Sequence, residues 1–129
     1  MAIITTNISN ISISVSGATT KTATISWTQP ILPEGAVINS CVLTGNASSF
    51  TTGNKGATLT INNTSVNSNS AFTINLGTNI STTSVIASFK GRHKQTNTSV
   101  TLSNLTHTVD YIDPSNFRTV TFVDWNGTI

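Results

Sequence analysis

Charge is what this chain of 129 residues has least of: Asp, Glu, Lys and Arg together make up 8% of it. Soluble proteins average about 25%. Six Lys and Arg against four acids leave a net charge of +2, which excludes charge-driven disorder. A single cysteine, Cys41, excludes an intrachain disulfide framework. It stands in the apolar run Ser40-Cys41-Val42-Leu43 and reads as a small buried hydrophobe rather than a nucleophile. No apolar stretch reaches the about 18 residues of a membrane helix, so no membrane partner is expected. The start, Met1-Ala2-Ile3-Ile4-Thr5-Thr6, lacks the basic leader and apolar segment of a secretory signal.

The scarcity extends to chemistry. The acids are Glu34, Asp110, Asp113 and Asp124, and the histidines are His93 and His107. Acid/base hydrolysis needs two converging carboxylates. Only Glu34 and Asp113 suggest such a pair, and both stand in proline-containing loops where turn formation explains them equally well. Neither histidine has a cysteine or acid at zinc spacing. No glycine-rich phosphate loop precedes a helix. We therefore expect no catalytic residues, no metal and no cofactor: the chain is not an enzyme. The pI of about 9.0 looks basic, yet only Lys90, Arg92, His93 and Lys94 cluster. Three or four charges give weak, salt-sensitive contacts, so no specific nucleic-acid partner is expected and the cluster reads as a basic surface turn.

What fills the gap is Ser, Thr and Asn, poor helix formers; Thr, with Val and Ile, suits strands. Such a polar, uncharged surface is common in proteins that pack against copies of themselves or against a larger assembly. Alternation of apolar and polar residues dominates the pattern. Ile11, Ile13 and Val15 alternate with Ser, predicting a strand over residues 8–16. Ala23, Ile25 and Trp27 alternate with Thr and Ser, which turns Trp27 toward the core. Pro30 and Pro33 break the pattern as a crossover loop. The run from Ala36 to Asn46 is apolar on both faces, as befits a central strand. Further strands follow at Ala57-Leu59-Ile61, Phe72-Ile74-Leu76 and Val85-Ala87-Phe89, with residues 62–69 read as a polar turn. Val100 and Leu102, then Leu105, Val109 and Tyr111, mark one long strand or two joined at Ser103-Asn104. His107 shares their parity and reads as a hydrogen-bonded residue at the edge of the core. About eight or nine antiparallel strands with no helix predict an all-β, single-domain β-sandwich of jelly-roll type. Its expected parts are an N-terminal arm (1–7), the sandwich (8–112), and a C-terminal strand or extension (113–129). That last segment either completes the sheet or docks a partner.

One segment carries a resemblance. Ile25-Ser26-Trp27-Thr28, then Leu32-Pro33-Glu34-Gly35-Ala36-Val37-Ile38-Asn39-Ser40-Cys41-Val42-Leu43, is similar to a strand-and-corner sequence in structural proteins of bacteriophages infecting low-GC Gram-positive bacteria. Later pieces resemble the same family: Thr58-Leu59-Thr60-Ile61-Asn62, Val85 to Gly91, Val100-Thr101-Leu102-Ser103-Asn104-Leu105, and Thr108-Val109-Asp110-Tyr111. The resemblance spans about residues 20 to 112. It implies a jelly-roll-like sandwich, often compared with carbohydrate-binding modules, displayed on a virion assembled in the host cytoplasm. Many relatives append the module to a longer tail protein, whereas here it is expected to stand alone as an accessory subunit.

Two functions follow as expectations. The first is a capsid decoration or head-accessory protein that binds the major capsid protein, with self-association as a further option. Its docking candidates are Phe117, Phe122, Val123 and Trp125, since edge strands readily pair with partner chains. The second is a glycan-binding module of a tail or baseplate, contacting a bacterial surface glycan through Tyr111 and Trp125.

Overall fold

Alternating Thr, Val and Ile place one face of each strand in a core and leave the other to water. The computed structural model describes residues 2–81, 85–94 and 97–114. Within them nine antiparallel strands and no helix form a β-sandwich: β1 (Ala2–Asn7), β2 (Ile11–Ser16), β3 (Thr20–Ile25), β4 (Val37–Ala47), β5 (Ala57–Ile61), β6 (Thr64–Val66), β7 (Ser70–Asn75), β8 (Val85–Gly91) and β9 (Asn97–Ile112). One sheet runs β1-β9-β4-β7, with β2 following β1 along the same edge of β9. The facing sheet runs β3-β8-β5-β6. Taking β1 and β2 as one interrupted strand, this order is the two-Greek-key jelly roll.

The N-terminal segment expected as an arm is β1, paired residue by residue with β9 from Ala2↔Tyr111 to Asn7↔Thr106. The strand expected over residues 8–16 begins at Ile11, and the strand through Trp27 ends at Ile25. The long pattern near the C-terminus is a single strand of 16 residues, and its apparent break is a bulge. Between Thr44↔Thr106 and Asn46↔Ser103, β9 spends one residue more than β4. Asn104 absorbs it at φ 53°. That extra residue moves the buried set from Val100 and Leu102 to Leu105, His107 and Val109, which is how bulges redirect side chains.

Phe89, at no measurable exposure, centres the core, with Phe50 packed edge-on at 5.2 Å. Ile25, Leu43, Leu59, Ile61, Leu102 and Leu105 surround them as one cluster. Gly45 sits mid-strand because a Cβ there would come within 2.8 Å of both Leu105 and Phe72. The outer faces explain the composition. Ser12 and Thr101 share a hydrogen bond of 3.0 Å across the strands, the Ser16 hydroxyl donates to Asn97 Oδ1 at 2.8 Å, and the Asn104 amide donates to Asn46 Oδ1 at 3.0 Å. Hydroxyls and amides tile these faces where most sandwiches use charge.

The polar turn expected over residues 62–69 contains β6, whose Val66 is buried against the core. Asn62 and Asn63, at φ 51° and 61°, form the two-residue turn joining it to β5. Both central residues having positive φ is the geometry that favours Asn-Gly. Asn63→Gly is therefore expected to stabilise the fold by about 0.5 kcal/mol, left-handed strain relieved less glycine's entropy cost. A urea midpoint that stays put or falls would count against this turn.

Candidate functional site

Antiparallel strands deliver their charged residues to the ends of the sandwich, and the two signs are sorted. Of the six Lys and Arg, Arg118 lies outside the described residues, and the other five share one end. Lys90 pairs with Thr20 beside Lys21, where β3 begins and β8 nears its end. The Arg92 N–H donates to the Gly56 carbonyl at 2.8 Å, next to Lys55. The Lys94 carbonyl lies 2.8 Å from where a Gly17 Cβ would stand, so Lys94 closes over the β2–β3 turn. The three described acids share the opposite end. Asp110 lies near the end of β9 and Asp113 just past it, and Gly35, next to Glu34, lies with its missing Cβ 3.3 Å from Pro114 Cγ. None of the three described acids stands at the cationic end.

That end holds a cleft of about 400 Å³ between the loop 48–56 and the β5–β6 hairpin. Its floor is apolar, from Phe50, Leu59 and Val66; its walls carry Thr52, Thr58, Ser65, Asn67 and Ser68; Arg92 is the only charged residue among the described residues that line it. The loop forming one wall is tied down at each side. Phe50 N–H donates to the Ser68 hydroxyl at 2.7 Å, and Ala57 N–H to the Thr51 carbonyl at 2.7 Å. Ser48 N–H donates to the Thr101 carbonyl at 3.0 Å, while its hydroxyl accepts the Thr101 N–H at 2.8 Å. Gly56 is obligatory, since a Cβ there would overlap the Thr51 carbonyl. A second hydroxyl-lined cleft at the same end runs past Ser14, Ser16, Asn97 and Ser99 to Lys21.

The acidic end is apolar as well. Ile31 is 91% exposed, Ile3 66% and Val37 58%, the three most exposed large hydrophobic residues among those described. Ile3 flanks Asp110 across the sheet, and Val37 flanks Ile112.

The sequence-predicted positions distribute as follows. Lys90, Arg92 and Lys94 are exposed at the cationic end, with His93 half-buried among them. Tyr111 is half-buried between Ala2 and Ile38 at the acidic end. Phe117, Phe122, Val123 and Trp125 lie outside the described residues. The loops of Glu34 and Asp113 do approach each other, through Gly35 and Pro114. Cys41 is fully buried, and that burial pushes its thiol above the ordinary range and keeps it protonated. Trp27 is buried, as its alternation predicts.

His107 corrects an expectation. It is not a hydrogen-bonded edge residue: it is fully buried, and neither ring nitrogen has a hydrogen-bond partner among the described residues. Its ring lies flat against Trp27, centroids 4.3 Å apart and planes 16° apart. The bulge at Asn104 turns His107 inward, and Thr6 and Leu43 flank it on the neighbouring strands. Burial without a partner lowers its pKa from 6.5.

Sequence reasoning missed the exposure of Ile3, Ile31 and Val37, because Ile3 and Val37 sit in runs that read as ordinary strands. It also missed the sorting of charge, because the described cations come from separate strand ends and turns that only the sheet pairing brings together. Among known protein families, curated proteins and solved structures, none matches this chain.

Proposed function

We propose that this protein is a non-catalytic structural module of a bacteriophage virion, a head-accessory or decoration subunit held to the particle by its acidic, apolar end. The supporting observation is the exposure of Ile3, Ile31 and Val37 at the end where β9 leads into the C-terminal residues. Apolar side chains gathered at one end of a polar module are what a protein–protein contact needs, since their burial drives association. A jelly roll also suits such a role, because its two packed sheets form a rigid body whose ends are free for contact. The resemblance of residues 20 to 112 to phage structural proteins points the same way.

Mass spectrometry of heads and tails purified from the encoding phage tests this reading. The chain is expected on heads, and Ile31→Asp with Val37→Asp is expected to lower its occupancy about tenfold while leaving the circular dichroism spectrum unchanged. Its absence from particles, or occupancy indifferent to both substitutions, would remove the proposal.

A further inference from the structure

We infer that the cationic end is a binding site for an anionic, polyhydroxylated polymer, a glycan or polyol chain bearing carboxylates or phosphodiesters, seated in the cleft at Arg92. This goes beyond the accessory role and holds wherever on the particle the module is mounted.

Three observations converge on that class of ligand. The first is field: Lys21, Lys90, Arg92 and Lys94 stand at one end with no described acid among them, and such concentration of one sign draws in anions. The second is the chemistry of the cleft. A guanidinium offers a planar fork of donors that grips a carboxylate or phosphate. Around Arg92 the walls supply Thr52, Thr58, Ser65 and Asn67, groups that exchange hydrogen bonds with sugar or polyol hydroxyls, above an apolar floor. A volume of about 400 Å³ is in the range of small-ligand sites. The third is preorganisation. The wall 48–56 is pinned by backbone hydrogen bonds on both flanks, so little ordering entropy opposes binding. The second cleft repeats the recipe, hydroxyls beside a single Lys21, so a chain longer than one cleft finds like contacts further along.

Nucleic acid fits less well. Single strands are held by stacking on exposed aromatics, and Trp27, Phe50, Phe72 and Phe89 are all buried.

The test is a titration of the full chain with labelled oligomers, followed by fluorescence polarisation in about 50 mM salt, where surface charge is weakly screened. A galacturonate oligomer supplies carboxylates, a glycerol-phosphate oligomer supplies phosphodiesters, and dextran is the neutral control. Binding to either anionic oligomer and not to dextran is expected, and which one binds identifies the anion. Arg92→Ala is expected to weaken binding about tenfold, with Arg92→Lys recovering part of the loss. Lys94→Ala, outside the cleft, is expected to cost only about twofold. Asn67→Leu, which leaves the charge untouched and removes an amide from the cleft wall, is expected to weaken binding about fivefold. Four results would each overturn the site: no binding to either anionic oligomer, equal binding of dextran, tighter binding of a single-stranded DNA of equal charge, or an Asn67→Leu variant that binds normally. None of them bears on whether the chain is found on phage heads, so the two proposals fail separately.

Discussion

Acidification from about pH 7 to about pH 5 is expected to lower the unfolding midpoint of this protein steadily, and His107→Leu is expected to abolish most of that fall. His107 is fully buried, and among the described residues neither ring nitrogen has a hydrogen-bond partner. Its neighbours across the sheet are Thr6 and Leu43, and Trp27 covers one face of the ring. Cys41, one row away on this inner face, is kept neutral by its raised pKa, and Tyr111 shares the parity of His107 four residues further along β9. Asp110 shares β9 with His107 but has the opposite parity and points to the outer face beside Ile3. A proton on His107 would thus be a buried charge with no described counter-charge on its face. The folded-state pKa is lowered by burial from the ordinary 6.5. The unfolded chain therefore takes up a proton near that value while the folded chain resists it. Stability is full above the unfolded pKa and is lost as the pH drops below it, at no more than about 1.4 kcal/mol per pH unit for one group. Leucine fills a similar space and leaves no polar atom without a partner, so the variant should fold. A midpoint that is flat over this range, or a His107→Leu variant that falls as steeply as the parent, would refute the account.

The same histidine marks the boundary of what was legible beforehand. Period-two burial places Ile13, Val15, Ile25, Trp27, Phe72, Ile74, Leu59 and Phe89 correctly in the core, because strand geometry forces alternate side chains to one face. The proline loop, the central strand β4 and the all-β class follow from the same pattern. Tertiary partnership is another matter. Parity turned His107 inward, but whether its nitrogens would find partners depended on which loop folded over it, and that loop brought Trp27. β6 was hidden because three residues after an Asn-Asn turn carry too little pattern to separate from the turn itself. β1 looked like an arm, although Ile4 and Thr6 already shared the alternation that lets them lie beside Val109 and His107. The candidate site was legible only in fragments. Lys90, Arg92, His93 and Lys94 announced themselves as a cluster, whereas Lys21 and Lys55 join them only when β3 and β5 are laid beside β8. The polar lining of the cleft comes from loops far apart in sequence, and no local signal foretells it.

Trp27→Ala is expected to cost about 3–5 kcal/mol, the range for deleting a large buried aromatic side chain. Natural domains have only about 5–15 kcal/mol in total, so this variant should stand near the edge of folding at ambient temperature. Trp27 lies just past the end of β3, where the strands of the smaller sheet have given out and a loop must cover the larger one. It does so with a face and an edge of its ring system: one face lies on His107, and the indole N–H at the edge donates to the Ile80 carbonyl at 3.1 Å. That bond ties the loop after β3 to the one before β8. Trp27→Phe isolates the tie, keeping a ring over His107 and losing the N–H, for about 1 kcal/mol beyond the change in packing. The two variants should also differ in their response to acid. With phenylalanine the imidazole stays covered, and the loss of stability below the ordinary histidine pKa persists. With alanine, water reaches His107, desolvation no longer opposes its proton, and the acid sensitivity shrinks even as overall stability drops. Urea titrations at about pH 7 and about pH 5 would separate these cases. A Trp27→Ala protein that loses less than about 1 kcal/mol, or one whose acid sensitivity exceeds the parent's, would mean that the indole does not close this end of the sandwich.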